Sequence, residues 1–305
     1  QVIGPFGVGA MRVKVGGTSM ICASLDHWYG KHTQLGNKNA KLDTENVRIM
    51  EYRLKKNLDV DYFLPPPRWD KNENSKLAFM PLPFFRFPQF EYCSNKFCGK
   101  KDGKLPGQAI WKKQLTDTEN ISYCNICKID GRKYQRTPQM NMVVVCKNGH
   151  IDDFPWFEWA HSLKNNHNCN ESEIINSGKL KFKQTSDVGI AGQKVICSGC
   201  KAERNLANSF ELDQQIRNYK CQGSRPWFGP NYSEACNELP KARFRTASSV
   251  YYPLTRSALY IPIDDKDEIS SIFDELDNND SIKNEIFKFE NLFKHDVKEN
   301  GFNKT

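Results

Sequence analysis

The sequence predicts an α+β protein assembled from several small modules, and three observations carry that prediction. Short apolar runs alternate in twos, are punctuated by Gly and Pro, and give way to helical spacing only in places. Hydrophobic residues make up 38% of the 305 residues, a modest supply for large cores. Eleven cysteines fall mostly in short-spaced groups. The N-terminus, Gln1 to Gly7, has neither a basic n-region nor an apolar h-region, so no signal peptide is predicted. Cysteines in such a chain point to metal ligation rather than disulfides, and to the cytoplasm. No apolar run approaches ~18 residues, so no membrane span is predicted.

Taken in order, residues 1–90 predict a β-rich module. Met11-Arg-Val-Lys-Val15 alternates, Gly16-Gly17 turns the chain, and Thr18 to Ala23 returns, which is a hairpin pattern. Gly4-Pro-Phe-Gly7-Val-Gly9-Ala10 lacks the Gly-Lys-Ser/Thr ending of a phosphate loop and precedes a strand instead of opening a helix. Val47, Met50, Leu54 and Leu58 predict a helix over 43–58, capped by Asp43 or Thr44. Pro65-Pro66-Pro67 forces an extended segment, and Pro81 to Pro88 reads as an aromatic strap.

Residues 91–128 predict a zinc ribbon. Cys93 and Cys98 form one pair, and Cys124 and Cys127 another, separated by a spacer over 99–123. Zinc takes four thiolates at tetrahedral corners, and a tight backbone knuckle can supply two of them. Gly99, one residue past Cys98, suits the positive φ of such a knuckle.

Residues 129–261 predict a second Cys/His-rich module. Met140 to Val145 reads as a buried strand. Cys146, with Gly149-His150 following, resembles another knuckle. Asp153 is a suitable N-cap and Pro155 fits a first turn, with Trp156, Trp159, Ala160 and Leu163 forming an apolar helix face. Cys146, His150, His161 and Cys169 therefore compose a candidate second metal site. His150 with Asp152 and Asp153 admits two other readings, a hydrogen-bond network capping the helix or a hydrolytic centre. Lys179 to Lys183 alternates as a strand, and Gln193 to Ile196 leads into Cys197-Ser-Gly-Cys200. Cys197, Cys200, Cys221 and Cys236 compose a further tetrathiolate candidate, so one to three zinc ions are expected.

The formal charge is +8, and it is uneven. Residues 262–305 carry 12 acidic residues against 6 lysines, which leaves +14 on residues 1–261. A basic body suggests a polyanion partner such as DNA. Arg132, Lys133 and Arg136 form one basic cluster, and Lys241, Arg243 and Arg245 alternate as if to track a phosphate backbone. Residues 262–305 predict an acidic helical hairpin, with Ile269, Ile272, Phe273 and Leu276 on one arm and Ile282, Ile286, Phe289 and Phe293 on the other.

Several of these stretches together resemble the DrmB-like family of the DISARM anti-phage defence system. They are Gln1 to Ala10, Phe84-Phe-Arg-Phe-Pro88, Cys146 to Trp156 with its Gly-His-Ile-Asp-Asp-Phe-Pro-Trp string, Cys197-Ser-Gly-Cys200, Arg225-Pro-Trp-Phe-Gly229 and Ala247 to Pro253. The resemblance implies a non-catalytic subunit that partners a helicase-like DrmA-type protein and works on phage DNA. It also implies a longer protein, because members of the family run on into a further C-terminal domain. The combined expectation is a zinc-binding, DNA-associated defence subunit without enzymatic activity. The rivals are a metal-dependent nuclease or hydrolase centred on His150, Asp152 and Asp153, and an adaptor that binds protein alone.

Overall fold

A computed structural model describes residues 7–13, 17–28, 48–49, 51–63, 82–99, 106–119, 121–132, 134–164, 168–185, 189–216, 219–251, 256–257, 279, 281, 283–285 and 288. The chain divides into a unit over Val2–Ser257 and a second over Ala258–Thr305 with Gln1. The larger unit mixes short antiparallel sheets with few, short helices.

The N-terminal hairpin is present. Strand β1 (Met11–Val13) pairs antiparallel with β2 (Ser19–Cys22), with Arg12 opposite Met20. Helix α1 (Leu25–Trp28) follows, and Trp28 donates its indole N–H to the Ala23 carbonyl at 2.8 Å. Helix α2 (Tyr52–Leu58) is shorter than the span 43–58 suggested. Ile49 instead bridges Phe63, and the Glu51 carboxylate caps the helix by accepting from the Arg53 amide at 3.2 Å. Asp43 and Thr44 lie outside the described residues, as do Pro65 to Pro67.

Strand β3 (Phe84–Arg86) adds to β2, and β4 (Phe90–Tyr92) begins a second sheet. The aromatic strap is thus a β-corner. Phe87 is buried at its turn, and Arg86 forms a buried ion pair with Glu91, whose other oxygen accepts from Thr137 Oγ1 at 2.6 Å. A charge this deep requires its partner, because desolvation without one costs several kcal/mol, on the order of 3–5.

The second sheet continues through β5 (Gln108–Lys112), helix α3 (Asn125–Ile129) intervening before the third sheet starts at β6 (Met142–Val145) and β7 (Ile151–Asp153). Helices α4 (Trp156–His161) and α5 (Glu171–Asn176) lead to β8 (Leu180–Gln184), β9 (Gln193–Cys197) and β10 (Glu203–Asn205). A short helix α6 (Leu212–Gln215) precedes β11 (Lys241–Phe244). The five-stranded sheet runs β10-β9-β8-β5-β4, and the third sheet runs β11-β6-β7. Strands from both sides of residue 128 therefore share one sheet.

The main core lies between this five-stranded sheet and α4. Trp156, Trp159, Phe154, Leu180, Val195 and Leu212 are buried in it. The Arg204 guanidinium stacks over the Trp159 ring at 4.1 Å, and the Trp159 indole N–H donates to the Asn205 carbonyl. Two helix details differ from expectation. Asp153 ends β7 and is no cap; Pro155 occupies the position before Trp156. Leu163 falls past the end of α4 and is exposed, while His161 is buried. The helical hairpin expected over 262–305 lies, apart from a few helical positions between 281 and 288, outside the described residues. No helix among the described residues is long and apolar enough to cross a membrane.

Candidate metal centres

Ten of the eleven cysteines and two histidines gather into three groups of four, with the potential donor atoms of each group within 4.8 Å of one another. The groups are Cys93, Cys98, Cys124 and Cys127; Cys146, His150, Cys221 and Cys236; and His161, Cys169, Cys197 and Cys200. Each could hold a metal ion. The eleventh cysteine, Cys22, stands apart, its thiol pushed up to about 11 by burial in β2.

The first group is the most enclosed. Its four cysteines are buried and make a small cluster of their own with Ala109, against Trp111 and Ile126. The sulfurs of Cys93 and Cys127 are 3.7 Å apart and those of Cys98 and Cys124 are 3.6 Å apart. Tetrahedral zinc with ~2.3 Å bonds to sulfur needs sulfur pairs separated by about 3.8 Å. A disulfide would need ~2.05 Å. Cys124 stands at the N-cap of α3. Hydrogen bonds from the Cys93 and Cys98 thiols, with help from the Cys127 and Ile126 amides, hold the Cys124 thiol far below its ordinary value. The hydrogen bonds of Cys93 with Cys124 and with Cys98 push the Cys93 thiol up, and burial adds to the effect. One side of the cluster is thus already set for negative charge. Asn95 donates its amide N–H to the Cys93 sulfur and its side-chain N–H to that of Cys127, both at 3.4 Å. Gly99 has φ +72°, as its place after the knuckle predicts.

A methyl group on Gly99 would stand 3.2 Å from the Lys181 ammonium. Lys181 is only 3% exposed. Lys181 lies in β8, and its charge is among the forces acting on Cys98. A buried cation is tolerable there because the sulfurs supply the opposite charge.

The second group shows how the third sheet was folded to build it. Cys146 follows β6, and a turn closed by the Gly149 amide on the Cys146 carbonyl presents His150. Strand β11 runs antiparallel to β6 with Lys241 opposite Val145, so the chain just before β11, with Cys221 and Cys236, reaches the same end of the sheet. His150 Nδ1 lies 3.2 Å from the Cys146 sulfur and 3.5 Å from that of Cys221. His150 Nε2 meets the Glu234 carboxylate. That contact places the proton on Nε2 and leaves the Nδ1 lone pair facing the sulfurs, the arrangement seen when a carboxylate orients a metal-bound histidine. Arg225 holds Glu234 through Nε at 3.0 Å and Nη2 at 2.8 Å, and also donates to the Asn148 carbonyl. Tyr232 donates to the other Glu234 oxygen at 2.9 Å. These partners hold the Glu234 carboxyl down to about 2. The Cys236 thiol is lowered to about 7, chiefly by a hydrogen bond from the Glu238 amide, whereas burial pushes Cys221 up to about 12.

The third group sits where α4 packs on β9. Cys197 ends β9 opposite Leu180, so the start of β8 and the chain before α5, carrying Cys169, lie beside it. The Cys169 and Cys197 sulfurs are 3.8 Å apart. His161 Nδ1 donates to the Phe157 carbonyl at 2.7 Å, which makes Nε2 the nitrogen with the lone pair. A methyl group on Gly199 would touch the sulfurs of Cys169 and Cys197 at 3.4 and 3.5 Å, and Ile174 at 2.9 Å. Only glycine leaves that cradle open.

The twelve predicted ligands are therefore the ones brought together, but two groupings read from the chain are corrected. His161 and Cys169 join Cys197 and Cys200, not Cys146 and His150. Cys221 and Cys236 join Cys146 and His150, not Cys197 and Cys200. His150 does not pair with the aspartates: Asp153 accepts the Gln89 amide on both oxygens, at 3.0 and 3.1 Å, and Asp152 accepts the Asp153 amide. Glu234, Arg225, Asn95 and Lys181 support the groups without any local sequence pattern that marks them.

The basic candidates are scattered. Arg136 is exposed and bridges Tyr123 through the backbone; Arg132 donates to the Phe97 carbonyl at 2.9 Å. Lys133 lies outside the described residues. Lys241 is exposed on β11, Arg243 is half-buried, and Arg245 is tied to Asn141 through Nε at 3.2 Å.

Three closed sets of thiolate and imidazole donors on a frame of short sheets define a class, that of mixed α and β proteins whose cysteine groups could hold metal ions. Residues 1–252 match a family described as a domain of unknown function, DUF8724, and the chain belongs to that family. It is also similar to the DISARM protein DrmB of Bacillus paralicheniformis (strain ATCC 9945a / NCIMB 11709 / CD-2), with 29% identity over 217 residues. That match covers 71% of this chain and 34% of the relative, so the chain spans about a third of the DrmB protein it resembles. The DrmB-like resemblance read from the motifs is borne out.

Proposed function

We propose that this chain is a non-catalytic, zinc-stabilised subunit of a DISARM-type defence system, and that it contacts DNA beside a helicase-like DrmA-type partner. The observation that carries the reading is the completeness of the three donor sets. Each offers four soft or imidazole ligands, which fill a tetrahedral zinc ion and leave no position for substrate water. The sulfur separations near 3.7 Å and the carboxylate behind His150 fit zinc in a structural role. Bound there, zinc would cross-link segments that short strands hold only weakly.

The first knuckle pair supports the DNA reading. Tyr123 and Tyr134 pack edge to face at 5.3 Å, and Tyr134 is 79% exposed. Lys128 in α3 and Arg132 and Arg136 in the chain that follows it lie close to these tyrosines in sequence, and Arg136 bridges Tyr123 through the backbone. Exposed rings among cations suit nucleic acid, which offers phosphates to one and base faces to the other. Similarity to DrmB supports the defence setting and the company of other Drm subunits.

Fluorescence anisotropy with a labelled oligonucleotide tests the reading. Affinity should fall steeply between 50 and 200 mM salt, by ~10-fold or more for a few phosphate contacts. Absence of binding at low salt, alone and with the DrmA-type partner, would remove the DNA role. A metal-dependent nuclease activity that Asp153→Asn abolishes without unfolding the chain would replace the proposal with the hydrolase reading.

A further inference from the structure

The second donor group differs from the first in access and in how its sulfurs are carried. Cys93, Cys98, Cys124 and Cys127 are all buried, whereas Cys146, Cys221 and Cys236 are each only half-buried. A small oxidant in solvent therefore reaches the sulfurs of the second group more readily than those of the first.

Cys221 and Cys236 also share a local frame. Ser224 bridges Ser233 antiparallel, the Glu234 amide donates to the Gly223 carbonyl at 3.0 Å, and the Cys221 amide donates to the Glu238 carbonyl at 3.1 Å. These contacts lay residues 221–224 alongside 233–238, with Cys221 and Cys236 on facing segments. Facing residues of an antiparallel pair stand about 4.5–5.5 Å apart at Cα, inside the span of about 4.4–6.8 Å that a disulfide bridges. The two sulfurs lie within 4.8 Å of each other. A movement of at most about 3 Å brings them to bonding distance. Cys146 is carried differently. It belongs to the turn between β6 and β7, where its amide donates to the His150 carbonyl at 3.1 Å and its carbonyl accepts from the Gly149 amide at 3.1 Å.

We propose that Cys221 and Cys236 are an oxidation-sensitive pair, which hydrogen peroxide converts to a disulfide that opens the second metal group and leaves the first intact. The proposal rests on the zinc reading above. One thiolate attacks an oxygen of the peroxide, breaks the O–O bond, becomes a sulfenic acid and releases hydroxide. The other thiolate attacks that sulfur, forms the S–S bond and expels a second hydroxide. The two sulfurs together give up two electrons, the peroxide takes both, and two protons from solvent turn the hydroxides into water. The group then keeps only Cys146 and His150 as donors, half of what a tetrahedral zinc ion needs. A dithiol reductant restores the two lost ligands.

Treatment of the zinc-loaded whole chain with hydrogen peroxide tests the proposal. A chromogenic chelator follows release, and mass spectrometry after alkylation of the remaining thiols maps the oxidised cysteines. One ion per chain should leave ahead of the others, with Cys221 and Cys236 protected from alkylation and the four cysteines of the first group still alkylated. Dithiothreitol followed by fresh zinc should restore the lost ion. Cys236→His keeps a fourth donor but removes the second sulfur, so it should retain its ion at a peroxide dose that empties this group in wild type. Should that variant fail to fold, the alkylation map of wild type decides alone. Oxidation first at another group, or a bond that joins Cys146 to either sulfur, overturns the proposal and leaves the zinc reading standing. A chain that binds no zinc before peroxide is added overturns the zinc reading and this proposal with it.

Discussion

Glu234 carries more than its half-exposed position suggests. It orients His150, and Arg225 and Tyr232 orient it in turn. Glu234→Gln should keep the fold and lower the metal affinity of that group by ~10–100-fold, the usual cost of losing an orienting partner. Competition with a chromogenic chelator would show one ion released early and the others unchanged. Lys181 acts at the first group by charge. Lys181→Met keeps the length of the chain but leaves the thiolates without their buried cation, so their ion should also be lost sooner. Asp153 gives a pH signature. Burial pushes its carboxyl up to about 7, with the charge of Asp152 adding to the effect. The folded value lies above the unfolded one, so the native state binds the proton more tightly. Stability from this group is therefore present below about pH 4 and is lost as pH rises toward 7. Compared with Asp153→Asn by denaturant titration at several pH values, wild type should lose ground across that window. The loss should be a few kcal/mol at most, because each tenfold difference in proton affinity between the folded and unfolded chain is worth about 1.4 kcal/mol.

At the scale of elements, the knuckles were legible and their partners were not. Cys93, Cys98, Cys124 and Cys127 lie close enough along the chain for local spacing to define them, and Gly99 marks the turn. The other two groups depend on which strands pair. Cys146 meets Cys221 and Cys236 because β11 returns along β6, and His161 meets Cys197 because α4 packs on β9. Those are long-range pairings that no local pattern encodes, so neighbours in sequence were grouped in error. The same limit hid Lys181, whose place in an alternating strand does not by itself show that it lies beside Gly99 and Cys98. The helix expected over 43–58 is present as Tyr52–Leu58, and its start is set by a different cause. Spacing of apolar residues fits a helix, but Ile49 is spent on a bridge with Phe63. Two substitutions probe the elements. Gly223 has φ +66°, and a methyl group there would stand 1.7 Å from the Glu234 carbonyl oxygen. Gly223→Ala should disturb Glu234 and the loop with Cys221, costing more than ~2 kcal/mol in a melt followed by circular dichroism. Trp159→Ala empties the contact of α4 with Arg204 and the sheet, and should cost ~3–5 kcal/mol.

At the scale of the whole molecule, the apolar cores and the sulfur groups share the work. One core gathers around Trp156 and Trp159, a smaller one around Ile21 and Phe87, and the third buried cluster consists almost wholly of thiols. The charge reading and the family resemblance came from sequence, whereas the grouping of the donors needed the fold to bring β11 beside β6 and α4 onto β9. Elemental analysis of the purified protein, repeated on Cys124→Ser, Cys146→Ser and Cys197→Ser, weighs the metal groups directly. Three zinc ions per chain are expected, with one lost in each variant, because three four-donor groups are present. A wild-type protein that holds no metal and still melts cooperatively, with all three variants equally stable, would contradict zinc as the clasp of this fold.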